Sequence, residues 1–455
     1  MNLKHAKRWL AAPLAVLTLS AALTGCQNIT TQTGAGNVTL ELDMNRLPNA
    51  EVSDKTVTCY FPGSQATVDK DLNLQATLGV LREKYGVEVE FEFAQAQEYA
   101  TKLGALVAGG TPPDLVKERD NANLAFIKNK LVQPIDSYFD LDSGLWSEMK
   151  DYVQPSSWNG KVLSMPLEFK IDGQFIYSNK KLFDEAGLDY PSIYAERGEW
   201  NWDTMLDLAQ QLTVMGSSGK PEVYGYADQT AYGILSSAGL DLITQDETGK
   251  FVGNLGNATL TAAMNFYYDL GPQRYNVLLL GASDDDLPNG KVAMIRGNHN
   301  KLAFLKDMLG YLDVAPIPAY PDSNTKYVSG GVERSYYICN GASNVNGAVA
   351  FINCSRLVED AGNTRENQMA VIKDWNSLPA GEDTEELVGR MVDMYEKGYT
   401  AIEPRATETL YSDMGTFWSW TKKLTQPWST VESSWKNVFQ SKVDELNQIC
   451  ADLDS

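Results

Sequence analysis

Histidine is the scarcest chemically versatile residue in this chain. The 455 residues include two histidines, His5 and His299. His5 lies in an N-terminal segment that is identified below as a targeting signal, so His299 alone remains in the exported protein. A multi-histidine metal site is therefore excluded, and a Ser-His-Asp triad would have to be built on this one side chain.

Cysteine is also scarce, and its spacing carries no metal motif. The five cysteines form no C-x-x-C pair and no zinc-binding spacing. Export permits disulfides, but most of the cysteines other than Cys26 lie in apolar runs and are expected to be small core residues; they are Cys59, Cys339, Cys354 and Cys450. The phosphate-binding motif GxxxxGK[ST] is absent as well. No metal and no cofactor are expected.

The chain lacks clustered basic residues, low-complexity segments and internal repeats. Its formal charge of −21 argues against a nucleic-acid partner, because phosphate binding needs grouped Lys and Arg. The absence of repeats and stalk-like sequence argues against a purely structural or adhesive surface protein. With 43% hydrophobic residues, a chain of 455 residues is too long for one compact core, so two domains of α/β size are expected.

The N-terminus has the pattern of an export signal. Lys4, Lys7 and Arg8 precede an apolar run, 9–23, that is too short for an ordinary membrane-spanning helix. The run ends in Leu-Thr-Gly-Cys at Cys26, which resembles a bacterial lipobox. The resemblance implies a signal peptide over 1–25 and a lipid on Cys26. The alternative is an ordinary secretory signal that happens to be followed by a cysteine.

The stretch after the signal and the first folded segments differ in pattern. Residues 26–54 are polar and rich in Thr, Asn and Gly, which predicts a flexible tether. Residues 56–61 and 87–93 alternate like strands, and 114–116 begins a third. Apolar residues at helical spacing lie between them, and this β-α-β-α-β order is typical of a parallel, doubly wound sheet.

The stretch 160–187 combines two apolar runs of strand character with charges between them. The runs are 162–167 and 174–177, and the intervening residues include Glu168 and Lys170. The second run leads into a helix-like segment that is expected to end at Gly187, because glycine tolerates left-handed dihedrals. Charges between buried strands are costly unless they pair or border a wet cavity. The stretch therefore predicts a crossing between two lobes with a polar cleft beside it.

Several segments, taken in order, resemble family 1 extracellular solute-binding proteins of ABC importers. The matching segments are KLGALVAGGTPPDLV (102–116), LVQPID (131–136), NGKVLSMPLEF with FIYSNKKLFDEAGLDYP (159–191), WNWDTMLDLAQQLT (200–213), NGKVAMIRGNHN (289–300), VAPIPAY (314–320) and GGVERSYYICNGASNVNGAVAFINCSRL (330–357). Within 200–213, Met205, Leu208, Ala209 and Leu212 are expected to form the buried stripe of a helix. No one segment is diagnostic alone, but the ordered set runs from about residue 56 to the C-terminus.

The resemblance implies an α/β, two-lobe fold of the periplasmic-binding-protein type II. Each lobe is expected to be a mainly parallel sheet flanked by helices, with hinge crossings between the lobes. The implied limits are 55–171 with 315–370 for lobe 1, and 172–314 with 371–455 for lobe 2.

The resemblance also implies a function. It is the capture of a carbohydrate, expected to be an oligosaccharide, and its delivery to permease subunits of an ABC importer. The protein would be a monomer held by its lipid on the outer face of the cell membrane, which is the habit of Gram-positive cells. A binding protein for another solute and a secreted glycoside hydrolase remain alternatives, although no carboxylate pair is marked in the sequence.

Sugar recognition needs an aromatic ring for the apolar face and paired donors and acceptors for the hydroxyls. Carried over by motif position, the resemblance gives the ligand-binding candidates Glu118, Asn121, Glu168, Lys170, Asn298, His299, Glu333, Arg334, Trp375 and Trp418. Two departures from the maltodextrin-binding branch stand out. Glu118 falls about where related sugar binders often have an aromatic, and Arg296–Asn300 replaces a Gly-Pro-Trp or Gly-Ser-Trp turn.

Each candidate also has a purely structural interpretation. Glu118 and Asn121 would then cap a helix, Glu168 would pair with Lys170, Asn298 and His299 would form a surface turn, and Glu333 and Arg334 would form an internal ion pair. Of the two late tryptophans, Trp420 is expected in the core and Trp418 at the cleft.

Overall fold

The computed structural model describes residues 19–20, 26–33, 36–119, 122–142, 144–153, 157–167, 174–228, 230–321, 329–331, 335–396, 400–402 and 419–453. All statements below concern these residues.

The described chain alternates strands and helices. The strands are β1 Leu19–Ser20, β2 Cys26–Thr33, β3 Gly36–Asp43, β4 Thr56–Pro62, β5 Glu88–Ala94, β6 Leu115–Lys117, β7 Ser164–Pro166, β8 Phe175–Asn179, β9 Val214–Met215, β10 Pro221–Ala227, β11 Ile243–Gln245, β12 Phe251–Gly253, β13 Leu278–Leu279, β14 Val292–Gly297, β15 Leu312–Pro316, β16 Ser329–Gly331, β17 Ser335–Ile338 and β18 Thr400–Ile402.

The helices lie mostly between these strands. They are α1 Gln65–Lys70, α2 Leu72–Tyr85, α3 Tyr99–Ala108, α4 Asn123–Lys128, α5 Lys150–Val153, α6 Lys180–Ala186, α7 Pro191–Arg197, α8 Trp202–Leu212, α9 Tyr232–Ser237, α10 Ala258–Leu270, α11 Leu302–Leu305, α12 Val345–Gly362, α13 Arg365–Trp375, α14 Glu382–Glu396 and α15 Trp428–Asp452. Short 3₁₀ helices include Gly144–Met149, His299–Lys301 and Lys306–Tyr311. No helix in the described ranges is long and apolar enough to cross a membrane.

Two larger sheets organise the fold. The first has the strand order β5-β4-β6-β17-β7, and the second has β13-β10-β14-β8-β15 with β9 attached to β10. In each sheet, neighbours on one side pair in parallel, and one strand, β17 or β8, runs against both of its neighbours. The sheets are therefore mixed rather than mainly parallel.

The direction of β8 and β17 follows from the route of the chain. β8 comes directly after the connection from β7 in the other sheet, and β17 follows the segment that leaves β15. β8 and β17 each start at the sheet edge where their two adjacent strands end. Each of them therefore runs antiparallel to those adjacent strands. The polypeptide thus passes from one lobe to the other at the carboxyl edges of the two sheets.

Helix signals in the sequence agree with the observed boundaries. The four residues predicted as the buried stripe of α8 are buried, namely Met205, Leu208, Ala209 and Leu212. Asn201 caps the N-terminus of this helix, and its side chain accepts a hydrogen bond from the Thr204 N–H. The predicted end at Gly187 is the left-handed cap of α6, with φ of 68°.

The segment expected to be a flexible tether, 26–54, contains paired strands. β2 and β3 are antiparallel from Cys26↔Asp43 to Thr33↔Gly36, and Leu40 and Leu42 are buried beside α12. The alternation of Leu40 and Leu42 with polar residues carries the signal of a half-buried strand, which the polar composition of the stretch conceals.

The lobe limits can be compared with the helices. α12 packs on α2 in the first lobe, whereas α13 packs on α14, which contacts β15 in the second. The chain therefore changes lobe between Gly362 and Arg365, and the expected limit at 370 falls inside α13, next to the buried Met369.

A buried carboxylate ties the first lobe together. Asp114 is 1% exposed and precedes β6. Its Oδ2 accepts the backbone N–H and the hydroxyl of Thr58 on β4, at 2.9 Å each. Its Oδ1 accepts the N–H of Asn344 at 2.7 Å and the hydroxyl of Ser343 at 3.2 Å, just before α12. One side chain thus fixes two strands and the start of a helix.

We predict that Asp114→Asn lowers the free energy of unfolding by about 3 kcal/mol, because an amide N–H₂ would face donors that now share an ionised acceptor. Urea unfolding followed by circular dichroism measures the change. Ser343→Ala, which removes one hydroxyl at 3.2 Å, is the control and should cost about 1 kcal/mol or less. A similar loss in both variants would contradict the prediction.

Candidate functional site

The carboxyl edges of the two sheets lie at the same connection. β7 leads to Leu167 and β8 follows Gln174, so six residues separate these two positions along the chain. An extended chain of that length spans at most about 25 Å. In open α/β sheets ligands bind outside the carboxyl ends of the strands. The connection therefore places two such edges beside one cleft.

Glu118 lies at the edge of the first lobe, directly after β6. Its Oε1 accepts from the Asn123 side chain at 3.1 Å, and its Oε2 accepts from the Ser335 hydroxyl. The Glu118 N–H donates to the Ser335 carbonyl at 3.1 Å. Ser335 opens β17, which arrives from the other lobe, so Glu118 is held where the chain re-enters lobe 1. It is partly exposed there.

Several predicted site residues lie outside the described residues: Asn121, Glu168, Lys170, Glu333, Arg334 and Trp418. Glu333 and Arg334 immediately precede Ser335 in the sequence. Their assignment stays a prediction.

The edge of the second lobe carries a charged network that the sequence-based list of candidates misses. Arg296, near the end of β14, donates from Nε to Asp228 Oδ1 at 2.7 Å. Its Nη2 donates to the Thr230 hydroxyl at 3.0 Å, and its Nη1 donates to the Gln174 side-chain oxygen. Asp228 also accepts from the Tyr226 hydroxyl at 3.1 Å. The available sequence signal is a charged residue that ends each of two apolar strands.

This pair of charges is largely desolvated. The side chains of Arg296 and Asp228 are 10% and 0% exposed. Burial alone would lower the pKa of Arg296, but the charge and hydrogen bonds of Asp228 outweigh it and raise that pKa above its usual value. Burial beside Asp228 likewise raises the pKa of Tyr226. The guanidinium is therefore a permanent cation and the phenol a permanent donor at physiological pH.

Asn298, His299 and Trp375 meet on the same side of the second lobe. The Asn298 carbonyl accepts from the Tyr177 hydroxyl at 3.1 Å. The His299 ring is buried at 2% exposure and lies 5.3 Å from the Trp375 ring, which is 51% exposed. Trp375 thus covers His299, and the indole rather than the imidazole is the aromatic surface available to a solute.

A separate pocket lies beside the edge strand β15 of the second sheet. It has a volume of ≈ 390 Å³ and is lined mainly by α7 and α14, including Ser192, Arg365 and Arg390. Next to it Asp313, with a fully buried side chain, accepts from Arg390 Nη1 and from the Ser192 N–H at 2.9 and 3.1 Å. Burial raises the pKa of Asp313 even though these groups lower it. In the described part of the chain, no three His, Cys, Asp or Glu side chains are grouped to hold a metal ion.

We predict that Arg390→Met destabilises the protein by about 3 kcal/mol at about pH 7 and by less at about pH 4. The folded-state pKa of Asp313 is raised, so its cost to stability is absent at low pH and grows as pH rises through that pKa. Loss of Arg390 increases this cost, and protonation of Asp313 relieves it. Urea unfolding at both pH values measures the effect.

The control for this prediction is Arg197→Met. It breaks an exposed ion pair with Asp189, whose side chains are 52% and 46% exposed, and it should cost below about 1 kcal/mol at either pH. A loss for Arg390→Met that is equal at both pH values would contradict the prediction.

Comparison with known proteins gives a family match. The family model described as bacterial extracellular solute-binding protein matches residues 73–355. No curated protein sequence is significantly similar to this chain.

Several solved structures have the same fold, and the match with this chain extends over nearly the whole of each of those chains. An ABC substrate-binding protein from Listeria monocytogenes in complex with cycloalternan is 19% identical, with 87% of this chain and 99% of that chain covered and a TM-score of 0.50. The cyclic α-maltosyl-1,6-maltose binding protein from Arthrobacter globiformis is 16% identical, with 87% of this chain and 98% of that chain covered and a TM-score of 0.53. UgpB from Mycobacterium tuberculosis in complex with glycerophosphocholine is 16% identical, with 86% of this chain and 99% of that chain covered and a TM-score of 0.53. At these identities the likeness establishes the two-lobe fold.

Proposed function

This chain belongs to the bacterial extracellular solute-binding protein family, and we propose that it captures an oligosaccharide between its two lobes and delivers it to the permease subunits of an ABC importer. The observation that carries this proposal is the juxtaposition of two polar sheet edges at one short connection, with a half-exposed indole beside the second.

The chemistry of these edges suits a polyhydroxylated solute. On one lobe, the partly exposed carboxylate of Glu118 provides an acceptor, and the buried Ser335 hydroxyl holds it in place. The amide of Gln174 and the hydroxyl of Thr230 lie around Arg296 on the other. Trp375 offers a flat apolar face of the kind on which a pyranose stacks. Among proteins of this fold, the one from L. monocytogenes is described in complex with cycloalternan, and the one from A. globiformis as a cyclic α-maltosyl-1,6-maltose binding protein.

Contacts from both lobes would favour a closed arrangement over an open one, because a solute shifts a conformational equilibrium only by its difference in affinity for the two states. A dissociation constant of ~1 µM corresponds to about −8 kcal/mol. Stacked rings and several buried hydrogen bonds supply energy of that order. The remaining predicted contacts, Asn121, Glu168, Lys170, Asn298, Glu333, Arg334 and Trp418, are part of this proposal, whereas His299 is buried and packs against Trp375.

Calorimetry against a glycan panel tests the function. The panel contains linear maltodextrins, cycloalternan and other oligosaccharides, with glycerophosphocholine as a non-sugar arm because one protein of the same fold is described with it. We expect binding to at least one oligosaccharide, with compaction in small-angle scattering. Binding to glycerophosphocholine alone would replace the solute class and keep the binding function. Release of reducing ends from a bound glycan would favour a hydrolase instead.

We predict that Trp375→Ala weakens binding of the best glycan by about tenfold, equivalent to about 1.4 kcal/mol, because it removes a stacking surface. The melting temperature should change little, since the ring is 51% exposed. Phe304→Ala is the matched control, because Phe304 is 58% exposed on α11. An equal loss of affinity in both variants would remove Trp375 from the site.

We also propose that Cys26 carries a lipid that holds the protein on the outer face of the membrane. Cys26→Ser should then move the protein from the membrane fraction to the soluble exported fraction and abolish incorporation of labelled fatty acid. Immunoblotting of cell fractions measures the shift. Retention of the variant in the membrane fraction would contradict the anchor while leaving the solute-binding proposal intact.

A further inference from the structure

Two buried arginines contact the described residues on either side of the first connection between the lobes. On the first lobe, Arg356 of α12 donates from Nη1 to the Leu167 carbonyl at 2.9 Å, and its side chain is 4% exposed. On the second lobe, Arg296 donates to the Gln174 side chain, and its side chain is 10% exposed. Arg356 belongs to lobe 1 and contacts the last described residue before the connection. Arg296 belongs to lobe 2 and contacts the first described residue after it.

The two arginines differ in the other groups to which they donate hydrogen bonds. Arg356 also reaches the Leu145 carbonyl and the Asp360 carboxylate, so it is part of the packing of lobe 1. Arg296 instead joins three segments through side chains: Gln174 before β8, and Asp228 and Thr230 after β10. Removing the Gln174 side chain frees residue 174 from this network without removing any buried charge, while Phe175 stays paired in β8.

The surrounding backbone is shaped to accept Arg296. A Cβ atom on Gly233 of α9 would lie 2.5 Å from Arg296 Cδ and 3.2 Å from its Nε. The contact of 2.5 Å is shorter than real Cβ atoms show, and the contact of 3.2 Å is tight, so glycine lets the helix pack directly on the arginine side chain. A buried ion pair adds little net stability compared with apolar packing. Its use here is therefore explained better by geometry than by stability.

We propose that Arg296 is a positioning residue that fixes Gln174, where the chain enters lobe 2, at the cleft edge. It holds Gln174 in register with Asp228 and Thr230, so this half of the cleft is formed before any solute arrives. Preorganisation of this kind lowers the entropic cost of binding. The inference rests on the proposed function for its effect on affinity, but its effect on the connection is independent of any ligand.

The test measures the distance between the lobes without ligand. Spin labels are attached to Lys70→Cys on α1 and Gln210→Cys on α8, both exposed positions, in a Cys26→Ser background. The cysteines Cys59, Cys339, Cys354 and Cys450 are buried and remain unlabelled. Double electron–electron resonance then gives the distribution of interlobe distances. We expect a broader distribution in Gln174→Ala than in the parent, with a nearly unchanged melting temperature.

Arg296→Lys separates positioning from simple stability. A lysine can keep an ion pair with Asp228, but its single ammonium nitrogen replaces the three separate guanidinium nitrogens that reach Asp228, Gln174 and Thr230. We expect it to retain most of the melting temperature that Arg296→Met loses, and to show the broad distance distribution of Gln174→Ala. For a glycan that binds the parent, both Gln174→Ala and Arg296→Lys should bind at least about fivefold more weakly.

Distance distributions in Gln174→Ala and Arg296→Lys that match the parent would overturn the proposal. Loss of affinity that only parallels a loss of melting temperature would do the same. If no glycan binds the parent, the proposed carbohydrate function fails, and the ligand-free distances still decide whether Arg296 positions the connection.

Discussion

The short link between Leu167 and Gln174 is the constraint on which the arrangement of this protein depends. Because six residues join the end of one sheet to the start of the other, the carboxyl edges of both sheets must lie near one another. The same constraint fixes the direction of β8, which starts where β14 ends. It also concentrates side chains that end strands, such as Glu118 and Arg296, around one cleft.

Buried charges perform the positioning in both lobes. Asp114 fixes β4 and the start of α12, Arg356 holds the chain at Leu167, and Arg296 gathers the ends of β10, β14 and the start of β8. Apolar packing supplies most of the stability, but it is not directional. A carboxylate or guanidinium with several hydrogen-bonding partners specifies which segments meet and at what angle, which a binding cleft requires.

The parts that sequence reasoning predicted are those with local signals. The buried stripe of α8, the cap at Gly187 and the alternation of 87–93 depend on neighbours within a few positions. The Asp228–Arg296 pair joins residues 68 positions apart, and no local pattern reports such a partner. The paired strands within 26–54 were missed for a different reason, because a polar composition hides the alternation of Leu40 and Leu42. The cover of Trp375 over His299 likewise arises from helix packing that brings α13 onto the chain after β14.

Interlobe contacts also exist on the face formed by α4 and α15, and their strength limits how much energy a solute needs to move the lobes. Lys128 and Glu445 pair across this face at 2.6 Å, but their side chains are 54% and 34% exposed, so the pair contributes below about 1 kcal/mol. The edge-to-face contact of Trp158 with Phe251, at 5.1 Å, adds about 0.5–1.5 kcal/mol beyond its buried area. Both are small beside the about −8 kcal/mol of a micromolar complex. The same face also carries hydrogen bonds from Gln245 to the Ser157 carbonyl and from Lys161 to the Leu453 carbonyl, at 2.8 and 2.6 Å, and a buried apolar cluster that includes residues of both lobes. The balance between open and closed arrangements therefore depends on this face as well as on the groups at the cleft edges.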